Sequence, residues 1–281
     1  MRLRLVWAAL VCVALARPAA AQQRPLVTQD PETIGAGHML VDGGISYSDG
    51  ITYPATGLKG NMWQIPVIGL VFGVSSIADL QITGGPYDSL SITQRFDAPL
   101  SDEVNVTGDS THSVDDIVIA TKIRFLSEAP NRPSMGIRFA TELPNSKPAS
   151  GMGLSTINFF TSVLVGKTIQ SVRVVGNIGL GILPEPTDAI KQNDVLTYGV
   201  SFARALTSQA EVVGEVAGRV STRAGEPPPG TESRAIIKFG GRYTQGPVRF
   251  DAAVFFGMTS IDPNVGFMGG VTYVFNAFSI P

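Results

Sequence analysis

The chain has 281 residues, of which 44% are hydrophobic and 16% are charged, and its formal net charge is −2. This weak negative charge argues against a nucleic-acid partner, because nucleic-acid binding needs a basic surface. The composition is apolar, yet beyond residue 21 no run of 18 residues lacks Gly, Pro or a polar side chain, which excludes a transmembrane helix there.

The first 21 residues have the pattern of a secretory signal peptide. Arg2 and Arg4 precede an apolar stretch over residues 5–16, and three alanines follow at 19–21. This pattern predicts cleavage after Ala21. The apolar stretch is also shorter than the roughly 20 residues that a spanning helix needs.

Removal of the signal peptide changes both the charge and the thiol content of the chain. The basic residues fall from 21 to 18 against 23 acidic ones, which gives a formal charge of −5. Cys12, the only cysteine, is also lost. The remaining chain therefore has no thiol for a disulfide, a metal site or nucleophilic catalysis.

The rest of the chain divides into about twelve short runs rich in Val, Ile, Phe, Tyr, Thr and Gly, separated by turn-forming residues, which is typical of strands. In chain order the runs cover residues 37–47, 62–72, 80–96, 115–125, 135–143, 155–165, 172–182, 195–206, 211–221, 234–243, 248–258 and 265–275. Most approach the roughly 9–11 residues that a tilted strand needs to cross a bilayer. Because lipid leaves no backbone polar group unpaired, strands in a membrane are expected to close into a barrel.

The connections between these runs alternate in length. The short ones are residues 74–79, 127–133, 166–171, 207–210 and 244–247, and the long polar ones are 48–61, 97–114, 144–154, 183–194 and 222–233, while 259–264 is again short. Outer-membrane barrels have short periplasmic turns and long outer loops, and an even strand number places both termini in the periplasm.

Alternation within the runs predicts which face is the lumen. The run 211–221 places Glu211, Glu215 and Arg219 on one face, and the next run places Lys238 and Arg242 on the equivalent face. Turning such a face to lipid costs about 2–4 kcal/mol per Arg or Lys at the bilayer midplane, so the charged face is expected to be the interior. The opposite signs on these two neighbouring runs predict cross-strand ion pairs. The candidate lumen-lining residues are Lys122, Arg124, Arg138, Glu142, Arg173, Glu211, Glu215, Arg219, Lys238, Arg242, Arg249 and Asp251.

Aromatic side chains on the opposite face predict interfacial girdles. The outward residues expected near the periplasmic ends are Phe125, Tyr243, Phe250, Tyr273 and Phe275, and those expected at the other rim are Trp63, Tyr47 and Tyr53.

Strand-and-glycine patterns recur at residues 65–67, 73–80, 136–144, 198–199, 215–218 and in the closing run 266–275. In these segments the chain resembles the outer-membrane family named after the MetA pathway of phenol degradation. The resemblance implies a transporter-like barrel that passes small, aromatic or hydrophobic molecules, with outer-membrane lipids and the barrel-assembly machinery as partners. The tail 276–281 departs from the family, whose members often end on a terminal aromatic; here Phe275 would be internal, or Phe278 would take that role.

Catalytic chemistry has little support in the sequence. The two histidines are His38, at the predicted periplasmic start of the first strand where no catalytic site is expected, and His112, which has Asp109, Asp115 and Asp116 nearby. A histidine in a solvated loop is the commoner situation, and the aspartates lack the spacing of a known calcium loop. We therefore predict no catalytic residue, no cofactor and no metal, and a protein that is not an enzyme.

Together these observations predict an all-β protein of the outer membrane: a closed antiparallel up-and-down transmembrane barrel of about 12 strands with periplasmic termini. The expected organisation is a signal peptide at 1–21, a periplasmic N-terminal segment at 22–35, the barrel at 36–275 and a tail at 276–281. Three functions stay open: a narrow channel or transporter for small molecules, a non-conducting structural or surface-interaction barrel, and an outer-membrane enzyme using His112. A secreted β-sandwich is the soluble rival.

Overall fold

The structure is a computed structural model and describes residues 24–278. The predicted signal peptide at 1–21 and the last three residues of the predicted tail lie outside this range. The strands are β1 (His38–Tyr53), β2 (Leu58–Gly73), β3 (Ala78–Gly84), β4 (Asp88–Arg95), β5 (Ser110–Ser113), β6 (Val118–Leu126), β7 (Ser134–Glu142), β8 (Asn158–Ile169), β9 (Val172–Glu185), β10 (Asp188–Ala205), β11 (Ala210–Ser221), β12 (Arg234–Gln245), β13 (Val248–Gly257) and β14 (Val265–Asn276).

The strands form one antiparallel sheet that closes on itself, because β1 pairs with both β2 and β14. β3 and β4 both pair with β2, one after the other, and β6 and β5 pair with them in the same order. β3 and β4 therefore together form one interrupted barrel strand, and β5 and β6 together form another. The result is a closed barrel of 12 strands, and the predicted fold class is confirmed.

The two ends of the barrel differ. At one end His38, the first residue of β1, lies opposite Asn276, the last residue of β14, and we call this end the terminal rim. The other end, which carries the turn between β1 and β2, is the loop rim. Residues 143–157 fold over the lumen at the loop rim, where Thr111 donates a hydrogen bond to the Ser150 carbonyl oxygen at 2.9 Å and Thr56 donates one to that of Gly151 at 2.6 Å.

The faces of the wall separate apolar from charged side chains because successive residues of a strand point to opposite sides. On the outside Ile178, Val200 and Phe250 are 58%, 59% and 52% exposed, while the inward Glu215 and Lys238 are each 3% exposed. A continuous exposed apolar surface around a closed barrel is suited to lipid.

The aromatic residues expected at the second rim divide between the two faces. The rings of Tyr47 and Trp63 pack together on the outside with centroids 4.9 Å apart. Tyr53 instead faces inward, where its hydroxyl donates to the Met62 sulfur at 3.0 Å, beside a buried cluster that includes Leu58 and Leu90. The expectation for Tyr53 was wrong because a register shift between Ser48 and Ile51, where β1 pairs with β2, reverses the alternation and turns Tyr53 to the face opposite Tyr47.

Two of the predicted long loops are mostly strand. β1 and β2 have 16 residues each and leave only residues 54–57 as a turn, and β9 and β10 leave only residues 186–187. The polar residues of these stretches suggested loops, but they form hairpins that extend past the apolar belt, where polar side chains carry no lipid penalty. Gly57, at a φ of 76°, allows the tight β1–β2 turn.

The predicted strand 80–96 is interrupted at residues 85–87. Pro86 has no backbone N–H to give to a ladder, and Pro66 on the neighbouring β2 has none either. The flanking groups pair across the gap: the Ile65 amide donates to the Tyr87 carbonyl oxygen at 2.9 Å and the Asp115 amide donates to that of Gly85 at 2.8 Å. The wall therefore stays joined at the interruption. Within residues 24–278, no helix has the length and apolarity to cross a membrane.

Candidate functional site: the barrel lumen

The lumen contains part of the chain itself. Residues 24–37, which we call the N-terminal segment, precede β1 and contact the inward side chains of the barrel near the terminal rim. The sequence predicted that residues 22–35 lie in the periplasm, and for residues 24–35 this needs correction. Their backbone groups are paired with charged side chains of the wall, and such pairs are strongest where water is excluded.

Glu215 on β11 makes the densest contact with the N-terminal segment. Its carboxylate accepts hydrogen bonds from the backbone amide of Val27 at 2.9 Å, the amide of Thr28 at 2.9 Å and the hydroxyl of Thr28 at 2.8 Å. The same carboxylate lies 3.3 Å from the ammonium of Lys238. Hydrogen bonds to an ionised acceptor are roughly twice as strong as neutral ones, so Glu215 is a principal anchor.

The start of the segment is held by β1, β12 and β13. The Arg24 guanidinium lies 3.3 Å from Asp251 and 3.7 Å from Asp42. Arg242 donates a hydrogen bond to the Arg24 carbonyl oxygen, and Lys238 donates one to that of Pro25, both at 2.7 Å. The wall thus binds backbone carbonyls as well as a side chain.

The later part of the segment is held on the opposite side of the lumen. Arg173 on β9 forms a two-pronged pair with Asp30, at 2.9 and 2.7 Å, and also contacts Glu128 at 2.5 Å. Arg124 pairs with the Glu32 carboxylate. A guanidinium bound by two parallel hydrogen bonds is fixed in orientation, which makes Asp30 the second principal anchor.

Lys122 on β6 connects the segment to the wall. Its ammonium donates to the carbonyl oxygens of Asp30 and Glu32 and lies 3.4 Å from Asp79. Lys122 is 1% exposed and Asp79 is 0% exposed. Buried ions of this kind persist only with full pairing, so the terminal half of the lumen is filled rather than open.

The barrel also pairs its own charges across neighbouring strands. Glu215 lies opposite Lys238 and Glu211 lies opposite Arg242 in the register of β11 with β12, with ion-pair distances of 3.3 and 3.6 Å. These are the cross-strand pairs that the sequence pattern suggested. They depend on the wall alone and therefore do not need the N-terminal segment.

The candidate lumen residues divide into two groups by their position along the barrel axis. Those in the terminal half, around the N-terminal segment, are Lys122, Arg124, Arg173, Glu211, Glu215, Lys238, Arg242, Arg249 and Asp251. Arg138, Glu142 and Arg219 line cavities between the segment and the loop rim.

A chamber of about 470 Å³ occupies the lumen between the N-terminal segment and the loop rim. Val27, Thr28 and Gln29 form its floor. Its wall includes Arg138, Phe160, Ser162, Asn177, Thr197, Gly199, Ala217, Arg219, Arg234, Ile236, Asp262 and Pro263. A second cavity of about 160 Å³ shares Arg219 and Arg234 with the chamber and is also lined by Met152 and Leu154 of the loop that covers the lumen. The two cavities therefore lie next to each other, and the smaller one is on the side of the covering loop.

The sequence analysis did not predict two features of this site. Arg234 lines both cavities but was absent from the candidate set, although it lies on the same face of its strand as Lys238. The N-terminal segment was missed because it has no periodic pattern. Its charged residues, Arg24, Asp30 and Glu32, were the available signal, since they complement charges predicted for the lumen.

His112 lies away from the chamber. It is exposed on β5, and its ring stacks on that of Tyr87 with centroids 5.9 Å apart. Among residues 24–278 there is no group of three or more His, Cys, Asp or Glu arranged to hold a metal ion.

The fold is that of outer-membrane β-barrel channels. The COG4313 outer membrane channel from Pseudomonas putida F1 superposes with a TM-score of 0.63 at 9% sequence identity, over 88% of this chain and 98% of that one. The NanC porin superposes with a TM-score of 0.51 at 7% identity, over 84% of this chain and 98% of that one. No protein-family model matches the sequence, and no curated protein matches it either.

Proposed function

We propose that this protein is an outer-membrane channel for small molecules whose lumen is narrowed by its own N-terminal segment. The observation that carries the proposal is the chamber of about 470 Å³ inside a closed barrel, next to a smaller cavity on its loop-rim side and floored by residues that belong to no strand. A channel needs a lumen that solutes can enter, and a floor made of a segment outside the sheet can move without unfolding the wall. The two structural neighbours are by name a channel and a porin, which supports this class of function.

The proposed orientation places the terminal rim in the periplasm and the loop rim outside the cell. Signal-peptide cleavage after Ala21, insertion by the barrel-assembly machinery and membership of the MetA-pathway family belong to the same proposal. The chamber wall carries Phe160, Ile236 and Pro263, which suit a small molecule with an aromatic or aliphatic body.

Release of the segment would leave part of the lumen network intact. The pairs Lys122–Asp79, Lys238–Glu215 and Arg242–Glu211 lie within the wall and would persist. Arg173 would lose Asp30, while keeping Glu128. Release of the segment therefore breaks the segment's own contacts but leaves several lumen charges paired. This limits the free-energy cost of leaving buried charges without partners.

Solute uptake by liposomes that contain the purified barrel tests the proposal. We compare the mature wild type with a variant that lacks residues 24–36 and with one in which the same residues are replaced by a Gly-Ser sequence of equal length. Both variants are expected to pass small neutral solutes faster than the wild type, which itself passes them slowly. Retention of the heat-dependent gel shift shows that each barrel is folded.

The same uptake experiment also distinguishes the proposed channel from the alternative of a non-conducting barrel. The burial of Lys122 and Asp79 beneath the segment favours that alternative, because it fills the terminal half of the lumen. Uptake by the two variants together with none by the wild type would support the structural role. Absence of uptake by all three folded proteins would overturn the channel proposal. An enzyme centred on His112 is not favoured, since His112 stacks on Tyr87 away from the chamber.

A further inference from the structure

Two arginines of the chamber face each other directly. Arg219 on β11 is the register partner of Arg234 on β12. Like charges in opposite positions of a ladder are destabilising unless an anion lies between them. Within residues 24–278 Arg219 donates hydrogen bonds to two neutral acceptors, the carbonyl oxygens of Glu232 at 2.9 Å and Gly230 at 3.0 Å, while the carboxylates of Glu142 and Glu232 act on it by charge alone.

Among the described residues Asp262 is the one carboxylate that lines the chamber, and it also binds other donors. One of its oxygens lies 3.7 Å from Arg234. The other accepts hydrogen bonds from the Ala235 amide at 2.9 Å and the Thr259 hydroxyl at 2.6 Å. Asp262 therefore neutralises at most one of the two facing arginines.

A third arginine, Arg138, enters the chamber from β7 near its floor. Its Nε donates to the Gln81 side-chain oxygen at 2.9 Å, and no carboxylate within residues 24–278 lies within 4.0 Å of it. The cations Lys122, Arg173 and Lys238 of the terminal half, by contrast, each lie within that distance of an acid. The lumen therefore pairs its charges where the segment binds, whereas the described lining of the chamber carries three arginines and one carboxylate, with Asp116 and Glu142 in the adjoining smaller cavity.

We propose that the chamber is a binding site for a small organic anion, a carboxylate on an aromatic or aliphatic body. The carboxylate would lie among Arg138, Arg219 and Arg234, where guanidinium groups can bind it through paired hydrogen bonds. The apolar body would pack against Phe160 and Ile236. The volume of about 470 Å³ lies within the range of about 300–1,000 Å³ that is usual for small-molecule sites. This inference rests on the proposed channel function and names its solute class.

Three probes of nearly equal shape test the charge preference: benzoate, neutral benzamide and cationic benzamidine. Binding to the folded wild-type barrel in detergent is measured by titration calorimetry. Benzoate is expected to bind at least tenfold more tightly than benzamide, and benzamidine is expected to bind more weakly than either. Equal affinity for benzoate and benzamide would overturn the proposal, and this comparison needs no variant.

The variants Arg138→Gln and Arg234→Gln locate the site. Each is expected to lower the affinity for benzoate at least tenfold and to leave that for benzamide within twofold. Arg204→Gln, which changes an exposed arginine near the terminal rim, is the matched control and should bind benzoate as the wild type does. Unchanged benzoate binding in both chamber variants would place the anion elsewhere and overturn the assignment.

Uptake of the same probes into liposomes distinguishes failure of this inference from failure of the channel proposal. Passage of benzamide as fast as benzoate would retain the channel and refute the anion preference. Tight benzoate binding without passage of any probe would refute the channel and retain the anion site.

Discussion

Glu215 holds Thr28 through two hydrogen bonds to one carboxylate oxygen, from the backbone amide at 2.9 Å and from the hydroxyl at 2.8 Å. Lys238 lies 3.3 Å from the other oxygen of the same group. One buried side chain of β11 therefore fixes the N-terminal segment and also neutralises a cation from β12. Because water is excluded there, a bond lost at Glu215 is not replaced by solvent.

Glu215→Gln should loosen the segment. The amide turns an NH₂ group toward donors that need an acceptor and leaves Lys238 without its anion. Bonds to a charged group are worth about 1.5–3 kcal/mol, so hydrogen exchange at the Val27 and Thr28 amides is expected to speed up about tenfold to hundredfold.

Glu226→Gln is the control for this substitution, because Glu226 is exposed in the loop between β11 and β12. Exchange at Val27 and Thr28 should not change in this control. If Glu215→Gln exchanges at the wild-type rate, Glu215 is not an anchor of the segment.

Arg173→Lys should destabilise the barrel even though it keeps the positive charge. A lysine offers one ammonium and cannot reproduce the fork that contacts Asp30 and Glu128 together. We expect a loss of about 1.5–3 kcal/mol in the free energy of unfolding, measured by urea titration in lipid vesicles. Arg223→Lys, at an exposed arginine that lies 3.9 Å from Glu185, should change it by less than about 1 kcal/mol. Equal effects of the two substitutions would contradict a special role for the fork.

Glu128 in the β6–β7 turn should give the terminal rim a weak acid sensitivity. Partial burial acts to raise the pKa of Glu128, but hydrogen bonds from the Thr168 amide and Lys167, together with the charge of Arg173, lower it overall. A lowered folded pKa contributes stability that is present above the unfolded value of about 4.3 and is lost as the pH falls through the folded value. Unfolding by urea, followed between about pH 3 and 7, should show a smaller pH dependence in Glu128→Gln than in the wild type. Identical pH profiles would show that Glu128 makes no such contribution.

Val200→Arg tests the lipid-facing surface. Val200 is 59% exposed on the outer face of β10. An arginine at this depth should cost about 2–4 kcal/mol of folding free energy in vesicles, whereas Gln245→Arg at the terminal rim should cost about 0–1 kcal/mol. If the two substitutions cost the same, Val200 does not face the hydrocarbon region.

The sequence was sufficient to predict the wall of the barrel but not the N-terminal segment inside its lumen. Strict alternation in 211–221 and 234–243 placed Glu215 and Lys238 on the inner face, because a strand repeats every two residues whatever its surroundings. The N-terminal segment has no such repeat. Its position depends on partners in distant strands, such as Glu215 and Arg173, which become neighbours only when the barrel closes.

The chamber could be predicted only in part for a similar reason. Arg138 and Arg219 were expected in the lumen from alternation alone. The absence of a nearby acid for Arg138 within the described residues, and the direct register of Arg219 with Arg234, depend on strand pairing that a single sequence does not specify. The interruption at residues 85–87 likewise reflects Pro86 in the gap itself and Pro66 on the neighbouring β2.

A reversible disulfide between the segment and the wall tests the central claim most directly. A Cβ atom built on Gly199 would lie 3.5 Å from the Thr28 Cβ, within the range of about 3.5–4.5 Å found in disulfides. The double variant Thr28→Cys/Gly199→Cys should therefore form a bond that fixes the segment, and the two single variants serve as controls. Liposomes that contain the oxidised double variant should lose solute uptake and regain it on reduction, while the single variants respond to neither treatment. Equal uptake by the oxidised and reduced forms, with the disulfide verified by mass spectrometry, would contradict a channel controlled by this segment.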